Sequence, residues 1–142
     1  YLINEVNSTI TAFRYKKGHL TLLQTVSVLP PGYSGIGDGA DIHISLDGKY
    51  LYGSDRNVLN ELIIYSINKN NGKLTFVGRQ STLGKDSRTF AIDPSGNFLI
   101  VANGGTNDIT IFKRNKKTGL LTPTGQKINI IKPECVKFVK IH

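Results

Sequence analysis

The chain repeats itself at a spacing of 48 residues, and this repeat constrains its fold more than any other feature of the sequence. Residues 44–52 align with residues 92–100. After a slip of one residue, residues 68–75 align with residues 115–122, and a third, partial copy occupies residues 4–21. Repeats of this length are typical of solenoids and propellers, in which each copy folds as one supersecondary unit.

Each copy is predicted to form four short strands. In the last copy they run from Thr89 to Asp93, from Phe98 to Ala102, from Asp108 to Lys113 and from Leu121 to Gln126. The continuous apolar run at residues 98–102 favours a strand that is buried on both faces. Four strands in roughly 45–50 residues are typical of a β-propeller blade, so the sequence predicts an all-β propeller fold.

The repeat divides the chain into parts of one propeller domain. The predicted parts are a partial blade at 1–39, a blade at 40–86, a blade at 87–131 and a closing strand within 132–142, predicted at Glu134 to Val139. They amount to three blade equivalents, whereas propellers close with about 4–8 blades. We therefore expect the chain to be the C-terminal part of a larger propeller, and the remaining blades to be its partner.

Composition excludes a helical bundle and a membrane-spanning helix. The chain has 36 β-branched residues but four Ala, three Glu and no Met. Its net charge of +8 comes mostly from Lys in predicted hairpin turns, which favours solvated turns over a nucleic-acid or membrane surface. The single cysteine, Cys135, is expected to be buried, and it fits a cytoplasmic location.

Candidate functional residues lie in the loop after the second strand of each copy. The residue type at this position varies while the scaffold stays constant, the three residues being Glu5, Arg56 and Gly104, preceded by Asn4, Asp55 and Asn103. Loops of neighbouring blades converge at the mouth of a propeller channel, where ligands usually bind. Ordinary turn residues, with Asn or Asp capping the loop, are the alternative interpretation.

Two further residues are candidates for the same mouth. His43 lies on the first strand of its blade, where the next copy has Ala91, and Arg88 precedes the first strand of the following blade. A hydrogen-bonded channel histidine and a surface-loop charge are the alternative interpretations. No pair of Cys or His has the spacing of metal ligands, so neither a metal nor another cofactor is expected.

Four segments of the chain resemble one known family. They are Asn4-Glu5, Ala40-Asp41-Ile42-His43, Asp55-Arg56 and the stretch from Arg88 to Gly96. Together they are similar to the β-propeller lactonases, which comprise seven-bladed 6-phosphogluconolactonases and carboxy-muconate lactonizing enzymes. Ser87 stands where the family usually has Pro before the arginine, and the family's Gly-Pro-Arg-His segment would fall before Tyr1.

The resemblance implies a cleft at the channel mouth that holds a glutamate and arginines. By motif match, Glu5, Arg56 and His43 would be catalytic, and Arg88, Asn4 and Asp55 would bind the substrate. The implied substrate is an anionic sugar-acid lactone, with 6-phosphogluconolactone expected, and the implied pathway is the pentose phosphate pathway. The isolated piece is expected to be inactive.

A muconate-type lactonizing enzyme and a non-catalytic binding propeller stay as alternatives. Convergence of four side chains on one cleft would favour catalysis over binding alone, the four being Glu5, Arg56, His43 and Arg88.

Overall fold

The computed structural model describes residues 1–139, which form three antiparallel sheets. The first blade contains β1 (Leu2–Asn4), β2 (Thr9–Lys16) and β3 (His19–Ser27); the second contains β4 (Gly39–Ile44), β5 (Tyr50–Asp55), β6 (Glu61–Ile67) and β7 (Leu74–Ser81); the third contains β8 (Thr89–Ile92), β9 (Phe98–Asn103), β10 (Asp108–Arg114) and β11 (Leu121–Asn129). In every blade each strand pairs with the next along the chain. The all-β propeller prediction is confirmed.

Glycines in the left-handed region close equivalent hairpins in the second and third blades. Gly48 and Gly96 have φ angles of +67° and +69° in the turns between the first and second strands. Gly72 and Gly119 have φ angles of +73° and +76° in the turns between the third and fourth strands. Glycine adopts this conformation without a Cβ clash, so the repeated glycines give the two blades the same turns.

The core lies between the blades. Between the first and second blades, an apolar cluster is built from Ile10, Val28, Leu51, Ile63, Tyr65 and Leu74. Between the second and third blades, the cluster consists of Tyr50, Tyr52, Leu62, Ile64, Phe90, Leu99, Val101, Phe112 and Leu121. A sheet that is apolar on both faces needs a neighbour on each side, and this requirement stacks the blades face to face.

The closing strand predicted at Glu134 to Val139 is not formed in this structure, in which residues 132–139 carry no strand. A strand exists only beside a partner in a hydrogen-bonded ladder, and no strand within residues 1–139 pairs with this segment. Residues 140–142 of the predicted segment lie outside the described residues. Cys135, expected to be buried, is exposed on this segment. In the part of the chain that is described, no helix is long and apolar enough to cross a membrane.

Candidate functional site

A carboxylate and a guanidinium from different blades meet at one end of the sheets. Glu5 follows β1 of the first blade, and Arg56 follows β5 of the second. Arg56 Nη2 donates a hydrogen bond to Glu5 Oε1 at 2.6 Å. Together with Arg88 these residues border a cleft of about 250 Å³, which is also lined by Ile3, Gly39 and Ala40. The two loops that vary between the repeats therefore do form one site.

Three carboxylates surround the Arg56 guanidinium. Besides Glu5, Asp38 Oδ1 accepts a hydrogen bond from Nε at 3.1 Å, and Asp86 Oδ1 lies 3.6 Å from Nη1. Burial by itself would lower the pKa of Arg56, but the hydrogen bond to Glu5 and the charges of the three carboxylates outweigh it and raise the pKa. The guanidinium therefore stays cationic and is held from three directions.

The two members of the Arg56–Glu5 pair differ in their exposure. The Arg56 side chain is 13% exposed, whereas the Glu5 side chain is 62% exposed. A buried side chain with three partners is fixed in place, but an exposed carboxylate can exchange its guanidinium partner for water or a ligand. The pair therefore combines a fixed cation with an acid that solvent can reach.

Asp38 and Asp86 were missed by the sequence analysis, although the repeat contained a signal for them. They lie 48 residues apart, and each backbone carbonyl accepts a hydrogen bond from the loop residue of its own blade. The donors are the amides of Arg56 at 2.9 Å and Gly104 at 3.0 Å. Two equivalent aspartates from neighbouring blades thus flank the same guanidinium.

Asp55, predicted to bind substrate, instead lies behind the cleft. It is fully buried, and its carboxylate accepts hydrogen bonds from the amides of Asp38 at 2.9 Å and Leu59 at 3.4 Å. Burial raises the pKa of Asp55, the two amides lower it, and the charges of Asp38 and Glu61 raise it further, so the net shift is upward. Asp55 holds the loop that carries Asp38, and the structure gives it a supporting position.

Asn4, at the end of β1, stabilises the loop that carries Glu5. Its side-chain amide donates to the Thr9 and Thr11 hydroxyls at 2.9 and 3.1 Å, which ties β1 to β2 directly beneath Glu5. Asn103 does the same in the third blade, where it donates to Asp108 and Thr110. These hydrogen bonds shape the loop that carries Glu5, and the substrate contact of Asn4 stays a prediction.

His43 does not reach this cleft. It lies on β4, four residues beyond Gly39, and it is not among the residues that line the cleft. Its Nε2 lies 3.1 Å from Asp41 Oδ2, its ring packs edge-on against Phe90, and it borders a separate cavity of about 230 Å³ with Phe138. His43 therefore does not line the cleft of Glu5 and Arg56, and its catalytic role stays a prediction.

Arg88 lines the cleft on the side of the third blade. Its side chain is 54% exposed, and Nε lies 3.7 Å from Glu134 Oε2, so the guanidinium is held loosely. Of the four residues whose convergence would favour catalysis, Glu5, Arg56 and Arg88 share one cleft. Within residues 1–139, no group of three His, Cys, Asp or Glu is arranged to hold a metal ion.

A larger cavity of about 550 Å³ lies between the first and second blades, away from these residues. Its walls are mostly apolar. Its arginine, Arg79, donates to the Val28 carbonyl and to Glu61 Oε2 at 3.0 Å. Burial raises the pKa of Tyr65, another wall residue, to about 12, which keeps that hydroxyl neutral. The glutamate and the two arginines that could act on a substrate, Glu5, Arg56 and Arg88, are in the smaller cleft.

Comparison with known proteins points to one family. Residues 1–138 match the model of a family described as lactonase, 7-bladed beta-propeller. A 6-phosphogluconolactonase of Formosa agariphila is 43% identical over 132 residues, which are 90% of this chain and 36% of that protein. A 6-phosphogluconolactonase of Bacillus subtilis is 32% identical over 98% of this chain and 40% of that protein.

Solved structures agree with these matches. A Bacteroides fragilis protein described as a candidate 6-phosphogluconolactonase superposes with a TM-score of 0.92 at 45% identity, over 99% of this chain and 38% of its own. A periplasmic gluconolactonase of Pseudomonas aeruginosa gives a TM-score of 0.93 at 30% identity, over 97% of this chain and 38% of its own. The chain thus spans about two fifths of the length of these relatives. That it is their C-terminal part stays a prediction.

Proposed function

The chain belongs to the family of seven-bladed β-propeller lactonases, and from that premise we propose that the protein containing it hydrolyses a sugar-acid lactone, with 6-phosphogluconolactone as the expected substrate. The observation that carries this proposal is the Glu5–Arg56 pair, joined at 2.6 Å beside Arg88 in one cleft. The names of the two curated relatives favour the phosphorylated substrate.

Lactone hydrolysis needs a base for water and a cation for the oxyanion, and the pair supplies both. Glu5 accepts a proton from water while the water oxygen bonds to the lactone carbonyl carbon. Arg56 donates from Nη2 to the oxyanion that develops on the carbonyl oxygen. The bond from that carbon to the ring oxygen then breaks, and Glu5 returns its proton to the leaving oxygen, which gives the open-chain hydroxy acid. No step requires a metal.

Arg88 is the proposed ligand for the anionic end of the substrate. Its contact with Glu134 is long and solvent-exposed, and such pairs contribute little to stability, roughly 0–1 kcal/mol. A phosphate or carboxylate can therefore replace Glu134 as the partner of the guanidinium. A muconate-type substrate would use the same two arginines through a carboxylate instead of a phosphate. A preference between phosphorylated and unphosphorylated substrates therefore distinguishes the two proposals.

The test is a panel of phosphorylated and unphosphorylated lactones, offered to the full-length protein and to its Glu5→Gln and Arg56→Gln variants. We expect 6-phosphogluconolactone to be opened fastest and each variant to lower kcat at least ~100-fold, the scale of a lost general base or oxyanion donor. Glu61→Gln is the matched control, because Glu61 pairs with Arg79 outside the cleft at 3.0 Å.

Wild-type turnover in both cleft variants would contradict the mechanism. A full-length protein that opens no lactone in the panel, but binds one, would instead support the non-catalytic propeller. Formation of a lactone from an added muconate would support the lactonizing enzyme.

We propose the cytoplasm as the compartment. A phosphorylated lactone carries charges that oppose passage across a bilayer, so its hydrolysis is expected where it is formed. One structural relative is named as periplasmic. Cell fractionation with an antibody to the protein distinguishes the two locations, and recovery in the periplasmic fraction would contradict the proposal.

A further inference from the structure

Asp86, in the loop between β7 and β8, has a backbone conformation that few residues adopt. Its φ angle is +53°, in the left-handed region. Three hydrogen bonds hold it there: its amide donates to Asn60 Oδ1 at 2.9 Å, and its carbonyl accepts from the amides of Arg88 at 2.9 Å and Gly104 at 3.0 Å. A side chain at positive φ costs about 1 kcal/mol or more, and such strain is concentrated at functional sites.

The strained backbone aims the Asp86 carboxylate at Arg56. Asp86 Oδ1 is shielded from solvent and accepts no hydrogen bond, yet it lies 3.6 Å from Arg56 Nη1. An ionised oxygen without a hydrogen-bond donor is tolerated when a cation faces it. The Arg56 guanidinium is therefore the feature that accounts for the position of this carboxylate.

The third blade leaves room for this arrangement. At the position where the other blades have Glu5 and Arg56, it has Gly104, and a Cβ there would lie 3.4 Å from Asp86 Oδ2. A Cβ on Gly105 would lie 3.2 Å from Asp86 Cβ. A long side chain at either position would compete with Asp86 for this space. Glycine at positions 104 and 105 therefore leaves the Asp86 side chain uncrowded.

We propose that Asp86 is a positioning residue of the lactonase site. With Asp38 on Nε, it clamps the guanidinium so that Nη2 faces Glu5 and the substrate carbonyl. Its negative charge also opposes the phosphate of the substrate and product, which keeps anion binding loose enough for release. This inference rests on the proposed function, but its electrostatic part concerns anion binding and can be measured without turnover.

Asn and Gly both tolerate positive φ, so two variants separate the carboxylate from the backbone it sits on. Asp86→Asn removes the charge and keeps the shape, whereas Asp86→Gly removes the side chain and keeps the conformation. The control is Asp93→Asn, which removes the same charge in the β8–β9 hairpin, where Asp93 accepts hydrogen bonds from Ser95 and Phe98.

The measurements are kcat and KM for 6-phosphogluconolactone and the Kd of inorganic phosphate by titration calorimetry, all with the full-length protein. In both Asp86 variants we expect kcat to fall about 10-fold, because the oxyanion donor is less well held. We expect phosphate to bind about 3-fold more tightly and KM to fall with it, since a nearby negative charge is gone. Asp93→Asn should leave all three values within about 2-fold of wild type.

A lower kcat together with tighter phosphate binding is the signature of a positioning carboxylate, since a merely structural role would lower kcat and weaken phosphate binding together. Loss of kcat with weaker phosphate binding, or values equal to those of Asp93→Asn, would overturn the inference. If the wild-type protein opens no lactone, the proposed function fails. The phosphate contrast between wild type and Asp86→Asn then still decides whether Asp86 opposes anions in the cleft of Arg56 and Arg88, and absence of phosphate binding in both proteins overturns it.

Discussion

The second and third blades share a backbone but carry different chemistry. Their hairpins are closed by equivalent glycines with φ angles within a few degrees of each other. Yet Arg56 in the second blade is replaced by Gly104 in the third, and Ile67 is replaced by Arg114. The comparison teaches that the residues which the copies share set the shape of a blade, whereas the positions at which they differ hold the charges.

The Ile67/Arg114 difference changes the packing between blades. Ile67 packs against the apolar cluster between the first and second blades. Arg114 enters the junction between the second and third blades, where both oxygens of Asp47 lie 3.1 and 3.2 Å from Nη2. Its other nitrogens donate to the Tyr52 hydroxyl and the Gly96 carbonyl at 2.9 and 3.0 Å. A buried cation is tolerated here because each nitrogen has an acceptor.

The largest stability effect is expected from Arg114→Ala in the full-length protein. It would leave the buried Tyr52 hydroxyl and Gly96 carbonyl without their donor, and each such unsatisfied group costs about 1–3 kcal/mol, so we expect a loss of about 3 kcal/mol or more. Ile67→Val, at the equivalent position, should cost about 1 kcal/mol. Urea unfolding measures both. Equal losses would show that the buried network stabilises this junction no more than apolar packing does.

A smaller effect is expected from Asp41→Asn, which tests the inner edge of the same junction. The Asp41 carboxylate accepts hydrogen bonds from the Thr89 hydroxyl at 2.9 Å and the Phe90 amide at 3.1 Å, which links β4 to β8. Hydrogen bonds to a charged group contribute about 1.5–3 kcal/mol, and Asn keeps one acceptor, so we expect a loss of about 1–2 kcal/mol at pH 6. Thr89→Val removes one donor and should cost less.

The loss of stability caused by Asp41→Asn should depend on pH. Burial alone would raise the pKa of Asp41, but the hydrogen bond and charge of His43, with the bonds from Phe90 and Thr89, outweigh it and lower the pKa. A carboxyl whose folded pKa is depressed stabilises the fold above its unfolded pKa, near 3.9, and loses that contribution as the pH falls through the folded pKa. Thermal unfolding should therefore show a gap between wild type and Asp41→Asn that narrows from pH 6 to pH 3. A constant gap would contradict this assignment.

The sequence predicted the blades well because their signals are local. Apolar runs and turn glycines lie within a few residues of the strands they define, and the last copy forms β8–β11 with boundaries within three residues of those expected. The segment at residues 132–139 was mispredicted because a strand depends on a partner as well as on its own residues.

The candidate site was predicted in part, for a similar reason. Glu5, Arg56 and Arg88 were found because the repeat marks loop positions at the mouth. His43 borders a separate cavity, so its catalytic role stays a prediction that the cleft of Glu5 and Arg56 does not support. Asp86 was missed because its role depends on the approach of the third blade to a guanidinium of the second, and Asp38 was missed because it lies 18 residues before Arg56 along the chain.

The most direct test of the account is a crystal structure of the full-length protein with 6-phosphogluconate, the product of the proposed reaction. We expect the carboxylate of the product to accept a hydrogen bond from Arg56 Nη2, the hydroxyl formed by ring opening to donate to Glu5, and the phosphate to replace Glu134 beside Arg88. Product bound in the cavity beside His43, or in the larger cavity between the first and second blades, would contradict the account.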